Sequence, residues 1–118
     1  MARLALGLIL LVLLPGCQTQ RSLFYWGHYE ALIYQAYVAP AKAPTGLQIE
    51  KLQEDVVRAA AANLTVHPGL HAHLGYLYYQ SGQTDLARKE FETEKTLFPE
   101  SAVFMDRMLQ PAKPAVLK

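Results

Sequence analysis

The sequence predicts an all-α fold, and three observations carry that expectation. Apolar residues recur at three- and four-residue steps, and strict alternation is hard to find. Ala and Leu far outnumber Val and Ile, which favours helix over strand. Proline and glycine divide the chain into segments of helical length.

Taken in order, Ser22 is placed to cap a first helix over Leu23–Val38, with Trp26, Tyr29, Ile33 and Tyr37 on one apolar face. Pro40 and Pro44 make a loop of Ala39–Pro44. Thr45 and Gln48 have the spacing of a capping box, opening a second helix over Gly46–Leu64. Its stripe is Ile49, Leu52, Val56, Ala59, Ala60 and Asn63. Pro68-Gly69 ends that unit. A third helix is expected over Leu70–Gln80, closed by Ser81-Gly82 with Gly82 left-handed. Thr84 is placed to cap a fourth helix, Asp85–Phe98, which Pro99 stops. A fifth, Glu100–Leu109, has Val103, Phe104, Met108 and Leu109 as its apolar side. Residues 110–118 contain Pro111 and Pro114 and read as a flexible tail.

Pro68 to Ser101 spans 34 residues, the length of a tetratricopeptide repeat. Leu74, Gly75, Tyr78, Ala87, Phe91 and Pro99 all fall where that repeat requires them. Gly75 and Ala87 would let two helices cross closely, Tyr78 and Phe91 would fill the space beside the crossing, and Pro99 would stop the second helix. Two positions depart from the pattern: His71 replaces a large apolar residue and Glu94 replaces Ala. The first predicts a weaker contact and the second a wetter outer face on the fourth helix. One hairpin cannot bury its faces alone. The expected architecture over residues 22–109 is therefore antiparallel helical hairpins stacked as a short tetratricopeptide-like array, with a capping C-terminal helix.

The N-terminus predicts an address. Residues 1–16 hold 12 apolar residues and one charge, Arg3. The apolar run Leu4–Leu14 is too short to span a roughly 30 Å hydrocarbon layer and has the form of a signal peptide. It ends Leu14-Pro15-Gly16-Cys17, which resembles the bacterial lipobox, with Pro15 in place of the usual Ala, Ser, Val or Thr. Cys17 is then the lipidation site and residues 17–21 the tether. Gln18, rather than Asp, points by the same resemblance to lipid anchoring in the outer membrane, on its periplasmic face.

Charge excludes other classes. Eleven Lys+Arg face ten Asp+Glu, a net charge of +1, without the basic excess of a nucleic-acid binder. The single cysteine permits neither an internal disulfide nor a cysteine-based zinc site. His67, His71 and His73 do not read as a metal site: Pro68-Gly69 interrupts them, and His71 and His73 point to different sides of a helix. Glu90, Glu92 and Glu94 read as a solvated face. No phosphate loop, nucleophile elbow or metalloprotease motif is present. Catalytic residues, cofactors, metals and small-molecule substrates are not expected. Tyr76 and Tyr79 fall on the concave side of the repeat and are the candidate partner-binding residues. Ala72 and Tyr76 occupy the positions at which chaperone-binding repeats clamp a carboxylate, so that mode is not expected.

Two segments carry a wider resemblance: Phe24-Tyr25-Trp26-Gly27-His28-Tyr29-Glu30, followed by Tyr34 and Tyr37, and the stretch from Leu74-Gly75 to Arg107. Over about residues 22–109 the chain resembles the small bacterial lipoproteins grouped as domain of unknown function 4810. Members sit in gene clusters beside a lipoprotein like the curli secretion channel and a second lipoprotein. The resemblance implies a shared envelope complex, in which this chain would be a non-enzymatic scaffold or assembly factor. The alternative class, a subunit of an envelope enzyme or metal-dependent complex, would need an acid/base pair in a cleft with shifted pKa values.

Overall fold

The computed structural model describes residues 22–110. The expected signal peptide, Cys17 with the expected tether, and the residues beyond Gln110 lie outside the described residues. The fold is all-α: helices α1 (Tyr29–Val38), α2 (Thr45–Ala61), α3 (Leu70–Gln80), α4 (Thr84–Leu97) and α5 (Ala102–Leu109). The 3-10 turns Pro40–Lys42 and Pro99–Ser101 introduce α2 and α5. Two short strands, β1 (Phe24–Tyr25) and β2 (Thr65–Val66), pair in parallel, Phe24 against Thr65 and Tyr25 against Val66.

The α3–α4 pair is the most extensive contact between helices, and small residues line its seam. A Cβ on Gly75 would lie 2.6 Å from the Phe91 ring and 3.1 Å from the Ala87 carbonyl, so only glycine fits. Leu74, Leu77 and Tyr78 from α3 meet Ala87 and Phe91 from α4, all buried. Leu52 and Ala59 of α2 join this core from one side and Met105 of α5 from the other. Full burial of a leucine such as Leu52, Leu70 or Leu74 contributes about 1.5–3 kcal/mol. The Gln53 side-chain amide donates to Tyr78 Oη at 2.6 Å, tying α2 to α3. Lys95 Nζ reaches Asp106 at 2.6 Å and ties α4 to α5, an exposed pair of the kind that contributes little.

Several sequence expectations are corrected. The first helix starts at Tyr29, six residues later than Leu23, because Phe24–Tyr25 is drawn into the strand pair and Gly27 turns the chain at φ +48°. Its buried residue is Leu32. Of the expected face, Trp26, Ile33 and Tyr37 are exposed, Tyr37 by 88%, and Tyr29 is half-buried. Thr45 and Gln48 form no capping box: Pro44 is the N-cap, and Gln48 Nε2 instead donates to the Ala43 carbonyl at 2.7 Å. The buried stripe of α2 is Gln48, Leu52, Asp55 and Ala59, while Ala60 and Asn63 are exposed. Gln83 precedes α4 in the cap position, and Thr84 makes no capping bond. Val103 and Phe104 face outward, and Met105 is the residue that α5 buries. Gly82 does adopt the left-handed conformation, at φ +75°.

Gly75→Leu should lower stability by at least about 1–3 kcal/mol, the usual cost of overpacking. Urea denaturation of the full chain in detergent measures it. An unchanged midpoint would mean that the α3–α4 seam is looser than the Phe91 contact requires.

Candidate functional site

Glu94 is 2% exposed, not part of a wet face. Its Oε1 accepts the Gly69 amide at 2.7 Å and its Oε2 the Ala72 amide at 3.2 Å. Those amides open α3, where unpaired N–H groups and the helix dipole favour a negative charge. Asp55 on α2 repeats the device at the start of α1. It is fully buried, and its Oδ2 accepts the His28 amide at 2.7 Å just ahead of α1. Its Oδ1 lies 2.7 Å from His28 Nδ1. Both helix starts follow a glycine with left-handed backbone, Gly27 at φ +48° and Gly69 at φ +95°. A side chain at Gly27 would also fall on the Asp55 carboxylate. His71, the other departure from the repeat pattern, strengthens the helix pair: its Nδ1 lies 2.6 Å from Glu90 Oε2 on α4.

The loop between α2 and α3 is built around His67. Its ring stacks on Trp26 with centroids 4.2 Å apart and planes 6° from parallel. Tyr29 meets His67 edge-on at 4.2 Å and His73 at 5.6 Å. His67 Nδ1 donates to the Pro68 carbonyl at 3.0 Å, whereas His67 Nε2 and His73 Nδ1 are buried without a hydrogen-bond partner. Burial, then the neighbouring His67, holds the His73 pKa below its ordinary value. Burial, then the charge of Glu94, raises that of Tyr29. The three histidines do not converge, since His71 turns away to Glu90. Among the described residues no group of three His, Cys, Asp or Glu side chains is arranged to hold a metal.

The candidate binding face is the outer side of α3. While Leu74, Leu77 and Tyr78 enter the core, Tyr76 and Tyr79 remain 44% and 53% exposed. Gln80 Nε2 donates to Tyr76 Oη at 2.7 Å and orients that ring. Tyr79 lines a cavity of about 460 Å³ between α4 and α5, which Tyr76 does not reach. Phe91 and Ala87 belong to both the core and this cavity, so Gly75 and Ala87 fix the cavity floor as well as the helix crossing. Arg88 and Arg107 also line it, and sequence reasoning missed both. Nothing in their spacing, nineteen residues apart on different helices, marks them as a pair.

The depressed His73 pKa predicts acid sensitivity. The unfolded chain binds the His73 proton more readily than the folded one, so this contribution is full above about pH 6.5 and is lost as pH falls through the folded value. His73→Gln should flatten the fall in melting temperature of the full chain between about pH 7 and pH 5. An identical pH profile would place the acid-sensitive group elsewhere.

No curated protein and no solved structure matches the chain. A family model does, over residues 23–108, the span that holds both buried carboxylates, the histidine loop and Tyr76 and Tyr79. The chain belongs to the family described as domain of unknown function DUF4810.

Proposed function

We propose that this protein is an outer-membrane lipoprotein, anchored on the periplasmic face through acylated Cys17, that acts as a non-enzymatic protein-binding scaffold or assembly factor. The complex it serves would include a lipoprotein like the curli secretion channel. The helical pairs form a short tetratricopeptide-like array, capped by α5. The observation that carries the binding role is the exposure of Tyr76 and Tyr79 on a helix whose other large apolar side chains, Leu70, Leu74, Leu77 and Tyr78, are buried. Exposed aromatics on a rigid helix are the usual anchors of a protein interface. The equivalent use of Asp55 and Glu94, each binding the start of the preceding helix, supports the repeat reading. The lipobox-like end of the leader supports the anchor, because three acyl chains exceed the two signals that stable membrane attachment needs.

The alternative, an enzyme subunit, would draw on His28 and Asp55. Asp55 is fully enclosed, and His28 occupies both its oxygens through backbone and ring, the arrangement of a structural clamp. The scaffold is the reading favoured here.

Two experiments test it. Cys17→Ser should abolish acylation and leader cleavage, read by mass spectrometry of the mature N-terminus; a wild-type chain beginning unmodified at any other residue would end the lipoprotein reading. The double change Tyr76→Ala, Tyr79→Ala should leave the melting temperature within a few degrees of wild type, since neither ring is in the core. It should also cost most of the partner recovered by crosslinking from intact envelopes. Full recovery with the fold intact would leave this face without a role.

A further inference from the structure

We propose that the cavity between α4 and α5 binds an acidic-apolar segment of a protein partner: a large apolar side chain in the cavity, with a neighbouring Asp or Glu held by Arg88 and Arg107. This deepens the scaffold reading and rests on it. The floor is apolar, made by Ala87, Phe91, Met108 and Leu109. The volume of about 460 Å³ takes one or two large side chains, the scale of a small ligand pocket.

The occupant's chemistry follows from the rim. Lys51, Arg58 and Lys95 each have a carboxylate partner, but Arg88 and Arg107 have none within salt-bridge distance among the described residues. Two guanidinium groups beside an apolar floor suit a carboxylate attached to an apolar group, through paired charge-assisted hydrogen bonds. The Thr84 hydroxyl and the Gln110 amide supply the further donors and acceptors that a peptide backbone uses and an acyl chain does not. The charged side chains of residues 111–118, Lys113 and Lys118, match the sign of the rim. Tyr79 stands at this rim and supplies the aromatic contact.

The test selects a displayed random-peptide library on the full chain in detergent, in parallel with the doubly changed Arg88→Gln, Arg107→Gln and Arg88→Glu, Arg107→Glu variants. Both arginines are exposed on helices, and Gln and Glu are good helix formers, so the fold is retained; circular dichroism checks it. Wild type should enrich peptides with Asp or Glu close to Leu, Phe or Met. The Gln variant should bind them about tenfold or more weakly, the loss of about one charge-assisted contact. The Glu variant should turn the selection toward Lys and Arg, a gain that unfolding cannot produce. Enrichment without acidic residues, no enrichment, or acidic peptides that bind all three proteins alike would overturn the proposal. So would a dimer of the full chain, seen by sedimentation, that the Gln variant abolishes, because a second copy would then be the occupant. Partner recovery from envelopes reads the scaffold role separately. If that recovery depends on Tyr76 and Tyr79 but not on the arginines, the scaffold stands and the cavity assignment fails.

Discussion

The arrangement of this domain depends on the buried carboxylate of Glu94. It is the atom group through which α4 holds the start of α3, with one oxygen on Gly69 and the other on Ala72. Burying a carboxylate costs several kcal/mol unless hydrogen bonds replace the lost water. Here two amides at a helix N-terminus replace it, each such bond to a charged group contributing about 1.5–3 kcal/mol. The net contribution to stability is therefore modest, but the geometry is strongly specified, because either carboxylate oxygen left unmatched would be expensive. The position of Gly69 in turn sets His67 and the loop that Trp26 and Tyr29 pack against.

Asp55 does the same for the start of α1, and the two sites share a logic. Each carboxylate sits on the buried stripe of its helix, Asp55 after Gln48 and Leu52 on α2, Glu94 after Ala87 and Phe91 on α4. Each accepts a backbone amide at a glycine-led turn. The exposed surface is what remains after these internal demands are met. Tyr76 and Tyr79 point outward because Gly75 and Tyr78, their neighbours in sequence, are committed to the α3–α4 and α2–α3 contacts.

The third and fourth helices were legible in the sequence because their signals are local. Gly75, Ala87, Phe91 and Gly82 mean the same thing in the chain as in the fold. The first segment was not, because its determinants lie far away. Phe24–Tyr25 reads as the apolar start of a helix until Thr65–Val66, some forty residues on, offers it a strand partner. Asp55 and Glu94 left a readable mark, a carboxylate on an otherwise apolar helical stripe, which signals a buried and partnered charge more than a wet face. The partners of the histidines lie far off in the chain and leave no local mark: His67 and His73 both meet Tyr29, and His71 pairs with Glu90. The cavity and its two arginines depend on the angle between α4 and α5, which no residue pattern specifies.

Glu94→Gln tests the dependence on the buried carboxylate most directly. The change keeps the shape but turns one acceptor oxygen into a donor facing an amide. Equilibrium urea unfolding of the full chain should show a loss of about 1.5–3 kcal/mol, against a change within about 0.5 kcal/mol for Glu92→Gln on the exposed side of the same helix. Equal effects from the two substitutions would contradict the claim that Glu94 holds the start of α3.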